Sequence, residues 1–252
     1  KATVKRLKRF FISSAAAWLG TGGMTGKYFE YYGAAPKRIY TYPFTSLLQQ
    51  DVLGETVAPR EKEKLKKELD LKGEKIVITV GQFIHRKGFD LLLKSWPELD
   101  KMASLYLIGG TPTEEYLDIV EKEKLHNVYF IPFMGKEALK KHYMVADLFV
   151  LPTREDIWGL VINEAMAAGL PVITTDRCVA GLELIEGGKQ GYIIPSEDIL
   201  SLAECMKQVL TDNNLRHQMS CGSLKKISDY TIENMAKAHI NIFENLFSES
   251  IL

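Results

Sequence analysis

Residues 148–175 read LFVLPTREDIWGLVINEAMAAGLPVITT. An apolar run, Leu148 to Leu151, stops at Pro152 and gives way to a polar loop; apolar residues then recur with helical spacing from Leu160 to Ala168, and a β-branched run closes the stretch at Pro171 to Thr175. Strand, loop, helix and strand in that order make one unit of a parallel sheet. The pattern extends both ways along the chain. Further strands are expected at 75–81, 104–109, 128–132 and 191–194, with helical stretches at 88–96, 114–124, 136–145 and 182–186. Such strand-first units predict an α/β fold, a Rossmann-like doubly wound parallel sheet covered by helices on both faces. In that architecture ligands lie beyond the carboxyl ends of the strands, which singles out the loops after Gly81, Gly109, Pro132 and Leu151.

Outside this core the pattern changes. Residues 51–74 are charged and polar, with a helical pattern over 60–69, and read as a connector followed by a lead-in helix. Ahead of them, the apolar run 10–19, the helix-like 25–32 and the run 38–43 give one β-α-β fragment, too little for a complete second domain. After Ser196 the chain turns helical, over 199–211, 215–228 and 232–247. Lys5, Arg6, Lys8 and Arg9 ahead of an apolar run superficially imitate a secretory signal. A basic helix leading into a buried strand explains the same residues and is preferred. The chain does not open on Met, so its start is read as a fragment boundary.

Composition excludes little but bounds the chemistry. Of 252 residues, 46% are hydrophobic and 25% charged, and no run of apolar residues is long enough to span a bilayer, so a soluble protein is expected. Lys plus Arg equals Asp plus Glu at 32 each, which leaves no global field favouring nucleic acid; any anion site must be local. Cys178, Cys205 and Cys221 are odd in number and show no CxxC pairing, which argues against disulfides or structural zinc and for a reducing cytoplasm.

The segment quoted above also carries the strongest chemical signal. With a helix starting near Gly159, Glu164 lies about 7 Å along it, while Asp156 stands in the loop before the first turn. Two carboxylates then flank a helix start whose N–H groups, near Trp158, Gly159 and Leu160, attract anions, and glycine lets a ligand approach the backbone. A nucleotide sugar has the complementary layout, with sugar hydroxyls, a diphosphate and ribose hydroxyls in series. On the residues alone, Asp156 as a plain helix cap and Glu164 as a solvated or paired carboxylate serve as well.

This segment closely resembles the E-x7-E region of the retaining GT-B glycosyltransferases of the group 1 (family four) type, usually E-G-F-G-L-x-x-x-E-A-M-A-x-G-x-P-V. The resemblance implies that Asp156 holds the donor sugar and Glu164 the ribose. The family's first position is usually Glu; spacing puts Asp156 there, with Glu155 one residue early. A second stretch, Val80-Gly-Gln-Phe-Ile-His-Arg-Lys-Gly-Phe-Asp, resembles the family's G-R-x-x-x-x-K-G, in which two cations neutralise the donor diphosphate. Lys87 matches the lysine, Gly81 the glycine, and Gln82 stands where the arginine is expected, with Arg86 the local replacement. Fixed cations in a closed cleft stabilise charge as it grows on the leaving diphosphate. An isolated Arg-Lys at a helix start reads equally as surface. Gly109 ends a strand as a phosphate-facing turn would, Phe133 and Met134 lie where the family holds its base, and Trp158 replaces the motif's Phe. Lys136, His85 and His142 are read as solvated or structural.

No Asp-x-Asp pair is present to hold a metal-bound diphosphate, so no metal and no cofactor are expected, the nucleoside diphosphate sugar being the substrate; the lack of G-x-G-x-x-G after a strand weakens a dehydrogenase. The resemblance implies a hexosyltransferase acting with retention on a sugar or lipid-linked acceptor in polysaccharide or glycolipid synthesis, in the cytoplasm or at the inner face of the membrane. It divides the chain into a remnant of the N-terminal acceptor domain (1–50), the connector (51–74), the nucleotide-sugar-binding domain (75–230) and a C-terminal helix returning toward the N-terminal domain (231–252). Most of that N-terminal domain is expected to be missing and the chain alone inactive. For the basic opening residues, a solvated helix face is preferred over peripheral membrane association. Two rivals are kept: a non-catalytic nucleotide-sugar-binding module or accessory subunit, favoured by Gln82 and Asp156, and a nucleotide-sugar epimerase of the same fold.

Overall fold

The computed structural model describes residues 2–249. By its internal packing the chain forms two compact units, Lys1–Gln49 with Asp229–Leu252, and Gln50–Ser228.

In the first unit, helix α1 (Ala2–Ser13) leads to a short strand β1 (Trp18–Gly20), helix α2 (Gly23–Tyr31) and strand β2 (Ile39–Thr41), which pairs with β1 in parallel, Trp18 opposite Ile39. The apolar run 10–19 was expected to be one strand; its first part instead completes α1. Lys5, Lys8, Phe10 and Phe11 belong to one amphipathic helix, in which Lys5 lies over the Tyr31 ring and Lys8 over Tyr28, and the strand forms only after the break at Ser14 to Ala17. Trp18 is anchored there by its indole N–H, which donates to the Ile12 carbonyl at 2.8 Å.

The second unit is built in chain order from helix α3 (Pro59–Glu68), strand β3 (Ile76–Val80), helix α4 (Phe89–Ser95), strand β4 (Ser104–Ile108), helix α5 (Glu114–Lys122), strand β5 (Val128–Ile131), helix α6 (Lys136–Val145), strand β6 (Leu148–Leu151), helix α7 (Leu160–Ala167), strand β7 (Val172–Thr175), helix α8 (Val179–Leu184), strand β8 (Gly191–Ile194) and helices α9 (Ile199–Thr211) and α10 (Asn213–Ile227). A last helix, α11 (Ile232–Glu249), belongs to the first unit, where the Ile232 N–H donates to the Leu47 carbonyl at 2.7 Å. The six strands form one parallel sheet in the order β5-β4-β3-β6-β7-β8, with Ile76 opposite Ser104 and Val77 opposite Leu148.

Every residue of β3, β4, β6 and β7 is buried, which is why these strands read as unbroken apolar or β-branched runs and not as alternating patterns. Helices α4, α5 and α9 pack together on one side, with Phe89, Leu92 and Leu93 of α4 and Trp96 just after it in one core with Leu202, Met206 and Val209 of α9. Helices α3, α6, α7, α8 and α10 pack among themselves on the other. Helix α8 begins three residues before the expected 182 and ends at 184: the backbone of 177–180 is tied to the loop before α7, and the helix is launched from that anchor.

Candidate functional site

Strands β3 and β6 lie side by side, and the helices that follow them, α4 and α7, leave toward opposite groups of helices. This is the point where strand order reverses, and a doubly wound sheet is expected to take its ligand in a crevice beside the two carboxyl-end loops there. The sequence places Arg86, Lys87 and Gly88 in one loop and Thr153 to Gly159 in the other.

The loops are fastened to each other through their backbones. The Arg86 carbonyl accepts from the Arg154 N–H and from the Thr153 hydroxyl, both at 2.8 Å. Residues His85–Lys87 form a single 3-10 turn that ends at Gly88 with φ 69°, and a Cβ there would lie 2.0 Å from the Pro152 carbonyl oxygen. Only glycine allows both the left-handed backbone and that approach. With the loops held together, Lys87 Nζ donates to Asp156 Oδ2 at 2.6 Å, each side chain 12% exposed. Arg86 Nη1 donates to the Glu155 carbonyl at 2.7 Å and stands 3.8 Å from Asp156 Oδ1. Asp156 is itself fixed: its N–H donates to the Arg177 carbonyl and its carbonyl accepts from the Val179 N–H, as in a short parallel bridge.

Helix α7 starts from Gly159 at φ 98°, where a Cβ would lie 2.8 Å from Cys178 Sγ, and no side chain caps it. Trp158 is buried beneath this start, its indole N–H donating to Asn163 Oδ1 at 2.9 Å. Glu164 comes about 6 Å further along the helix. Its Oε2 accepts from the Tyr143 hydroxyl at 3.1 Å. Burial raises the Glu164 carboxyl above its ordinary pKa; the Tyr143 hydrogen bond and the Lys136 charge oppose the rise, and Asp51 adds to it. Lys136 and Asp51 pair at 2.6 Å.

The expected site residues thus fall into groups. Arg86, Lys87, Glu155 and Asp156 are brought into contact, although Glu155 takes part through its carbonyl and its side chain is exposed. Gly81 and Gly109 lie side by side at the ends of β3 and β4, the Gly81 N–H donating to the Ile108 carbonyl at 2.9 Å. Trp158, Gly159 and Leu160 form the start of α7, with Glu164 within it. Gln82 and Phe133 are exposed in the neighbouring loops, Phe133 at 82%, and Met134 is half-buried; none of them belongs to the Lys87–Asp156 cluster.

Nothing local in the sequence marks Arg154, although it stands inside the quoted motif. Its guanidinium makes a two-pronged contact with Asp90, 2.6 and 2.8 Å, while Nη1 also donates to the His85 carbonyl and Nε to Glu197. Burial works to raise the Asp90 carboxyl's pKa, but Arg154, with help from Lys94, outweighs it and holds the group below its ordinary value. Among the described residues no three His, Cys, Asp or Glu side chains converge as a metal site, and no helix is long and apolar enough to cross a membrane.

Residues 61–225 match the family described as Glycosyl transferases group 1, well over half of the chain. The chain belongs to the group 1 glycosyltransferases. Among its relatives, an uncharacterized glycosyltransferase of Methanocaldococcus jannaschii is 30% identical over 177 residues, 68% of this chain and 45% of that protein. The lipopolysaccharide core biosynthesis mannosyltransferase LpsB of Rhizobium meliloti is 28% identical over 250 residues, 94% of this chain and 68% of the relative. The chain spans about half the length of the curated relatives it matches. The Anabaena protein HepE, solved in complex with UDP, superposes with a TM-score of 0.81 at 17% identity, covering 98% of this chain and 68% of HepE, a likeness of fold. The expected family and the expected α/β fold are both borne out.

Proposed function

We propose that this group 1 glycosyltransferase chain supplies the donor-binding half of a retaining hexosyltransferase, with a nucleoside diphosphate sugar as donor and a sugar or lipid-linked hydroxyl as acceptor. The observation that carries this reading is the meeting of Lys87 and Arg86 with Asp156 at the reversal of strand order, in the loop that leads into α7, the helix that carries Glu164. A donor entering the crevice exchanges the Lys87–Asp156 pair for two better-matched contacts, diphosphate on Lys87 and Arg86 and sugar hydroxyls on Asp156, while Glu164 takes the ribose. When the bond from the anomeric carbon to the diphosphate breaks, negative charge gathers on the leaving phosphate. In this reading the two cations and the N-terminal end of α7 meet that charge once the donor is bound, so their stabilisation requires no reorganisation at the moment of reaction. Arg86 does the work that the family assigns to the position held by Gln82.

The UDP in HepE supports a uridine diphosphate sugar as donor, and the lipopolysaccharide core mannosyltransferase relative supports a role in polysaccharide or glycolipid synthesis. The test is sugar transfer by the full-length protein, with the product's anomeric configuration read by NMR. Retained configuration, with turnover lost in Lys87→Ala and Asp156→Asn, is the expected result. An inverted product, or turnover that survives Lys87→Ala, would overturn the reading.

A further inference from the structure

We propose that Tyr143 is a positioning residue for donor binding, its hydroxyl fixing the Glu164 carboxylate in the orientation in which it grips the ribose diol of the nucleotide. The inference rests on the reading that Glu164 holds the ribose, and goes beyond it by naming a residue that never touches the ligand.

Tyr143 lies on α6 and is 3% exposed, its ring edge-on to Phe149 of β6 with centroids 5.9 Å apart. A phenol buried this deeply needs an acceptor for its O–H, and it donates to Glu164 Oε2 on the neighbouring helix α7. Both partners are therefore carried by rigid, packed elements and not by the mobile part of a loop. Glu164, by contrast, is only half-buried. An ionised carboxylate offers about four acceptor positions. Tyr143 occupies one on Oε2, and Oε1 takes no part in that bond. Two adjacent ribose hydroxyls need two acceptor positions held in one plane, but the terminal torsion of a free glutamate is broad and roughly two-fold. A single donor held by the core selects one plane in advance, so less freedom is lost when the diol binds.

The charges around Glu164 leave this role to Tyr143. Lys136, from α6, and Asp51, from the segment ahead of α3, both act on Glu164, but they pair with each other and pull its ionisation in opposite directions. Burial disfavours the ionised carboxylate, and the Tyr143 hydrogen bond is the larger of the two influences that favour it. Removing the hydroxyl thus loosens the carboxylate and makes it easier to protonate, which shifts the loss of ribose binding on acidification to higher pH.

The experiment is calorimetric titration of the chain with UDP or GDP, whichever binds the wild type more tightly, and with the 2′-deoxy form of the same nucleotide. Three proteins are compared: wild type, Tyr143→Phe and Glu164→Gln. Tyr143→Phe deletes one oxygen and keeps the ring packing, so the fold is retained, which its melting temperature checks. The inference expects Tyr143→Phe to weaken the ribonucleotide about tenfold and the deoxynucleotide by less than about twofold, since one hydrogen bond to a charged group is at stake. It also expects the acid limb of ribonucleotide binding to move to higher pH in Tyr143→Phe. Equal losses for the two nucleotides would show a general structural role and overturn the inference. A ribose preference that survives in Glu164→Gln, or a wild type that binds neither nucleotide, would instead overturn the underlying reading of Glu164.

Discussion

Replacing Arg154 with Leu removes the clamp behind the donor site and leaves Asp90 buried without its main partner. The Asp90 side chain is 6% exposed and the Arg154 side chain 15%, and the two make a bidentate contact at 2.6 and 2.8 Å. Breaking such a pair from one side costs about 3–5 kcal/mol, because the remaining charge keeps its desolvation penalty and loses its compensation. Lys94, 3.4 Å from Asp90 and 44% exposed, returns at most about 1 kcal/mol of this. The contact with the exposed Glu197 adds little. A loss of about 2–4 kcal/mol at pH 7 is therefore expected in urea unfolding, and Asp90→Asn in the same chain should recover part of it by removing the orphaned charge. The sign of the pH dependence follows from the lowered Asp90 pKa. Its contribution is fully present above the unfolded value of about 3.9 and is lost as pH falls through the folded value. The gap between wild type and Arg154→Leu should therefore narrow under acid conditions. A loss below about 1 kcal/mol at pH 7, or a gap that widens on acidification, would refute this reasoning.

Gly88→Ala forces a Cβ against the Pro152 carbonyl and a left-handed backbone on alanine; relieving the contact parts the two site loops by roughly 1 Å, and nucleotide binding should weaken by calorimetry. Retention of wild-type affinity would show that the loops adjust independently. The three thiols should separate cleanly toward a disulfide reagent at pH 8. Exposed Cys221 should react at once and half-buried Cys205 more slowly, while Cys178, fully buried and with its pKa pushed up by burial to about 11, should react only on unfolding.

Most of the sheet could be read from the sequence because its four inner strands β3, β4, β6 and β7 are buried on both faces, so Ile76–Val80 and Leu148–Leu151 announce themselves without help from distant residues. The outlines of the site were legible for a related reason: Asp156, Gly159 and Glu164 lie within one loop-helix unit, and Lys87 sits in a loop whose place at a strand end the alternation itself predicts. What the sequence did not reveal depends on contacts across long separations. Arg154 meets Asp90 from 64 positions away and Tyr143 meets Glu164 from 21, on different helices, and no local pattern marks either pair. Phe10 and Phe11 were drawn into a strand because an apolar run does not say where a helix stops; the amphipathic pattern running back to Val4 decides it. Helix α8 moved for the same kind of reason, since its start is set by the bridge between Asp156 and Cys178 and not by its own residues.

The most direct test of the donor-site account is calorimetric titration of this chain with UDP-, GDP- and ADP-sugars, repeated with Lys87→Ala and Glu164→Ala and with a chelator added. The account predicts that one nucleotide class binds, that both substitutions abolish the binding, and that the chelator changes nothing. Binding that persists undiminished in both variants would contradict it, because the nucleotide would then be held somewhere other than the crevice between β3 and β6.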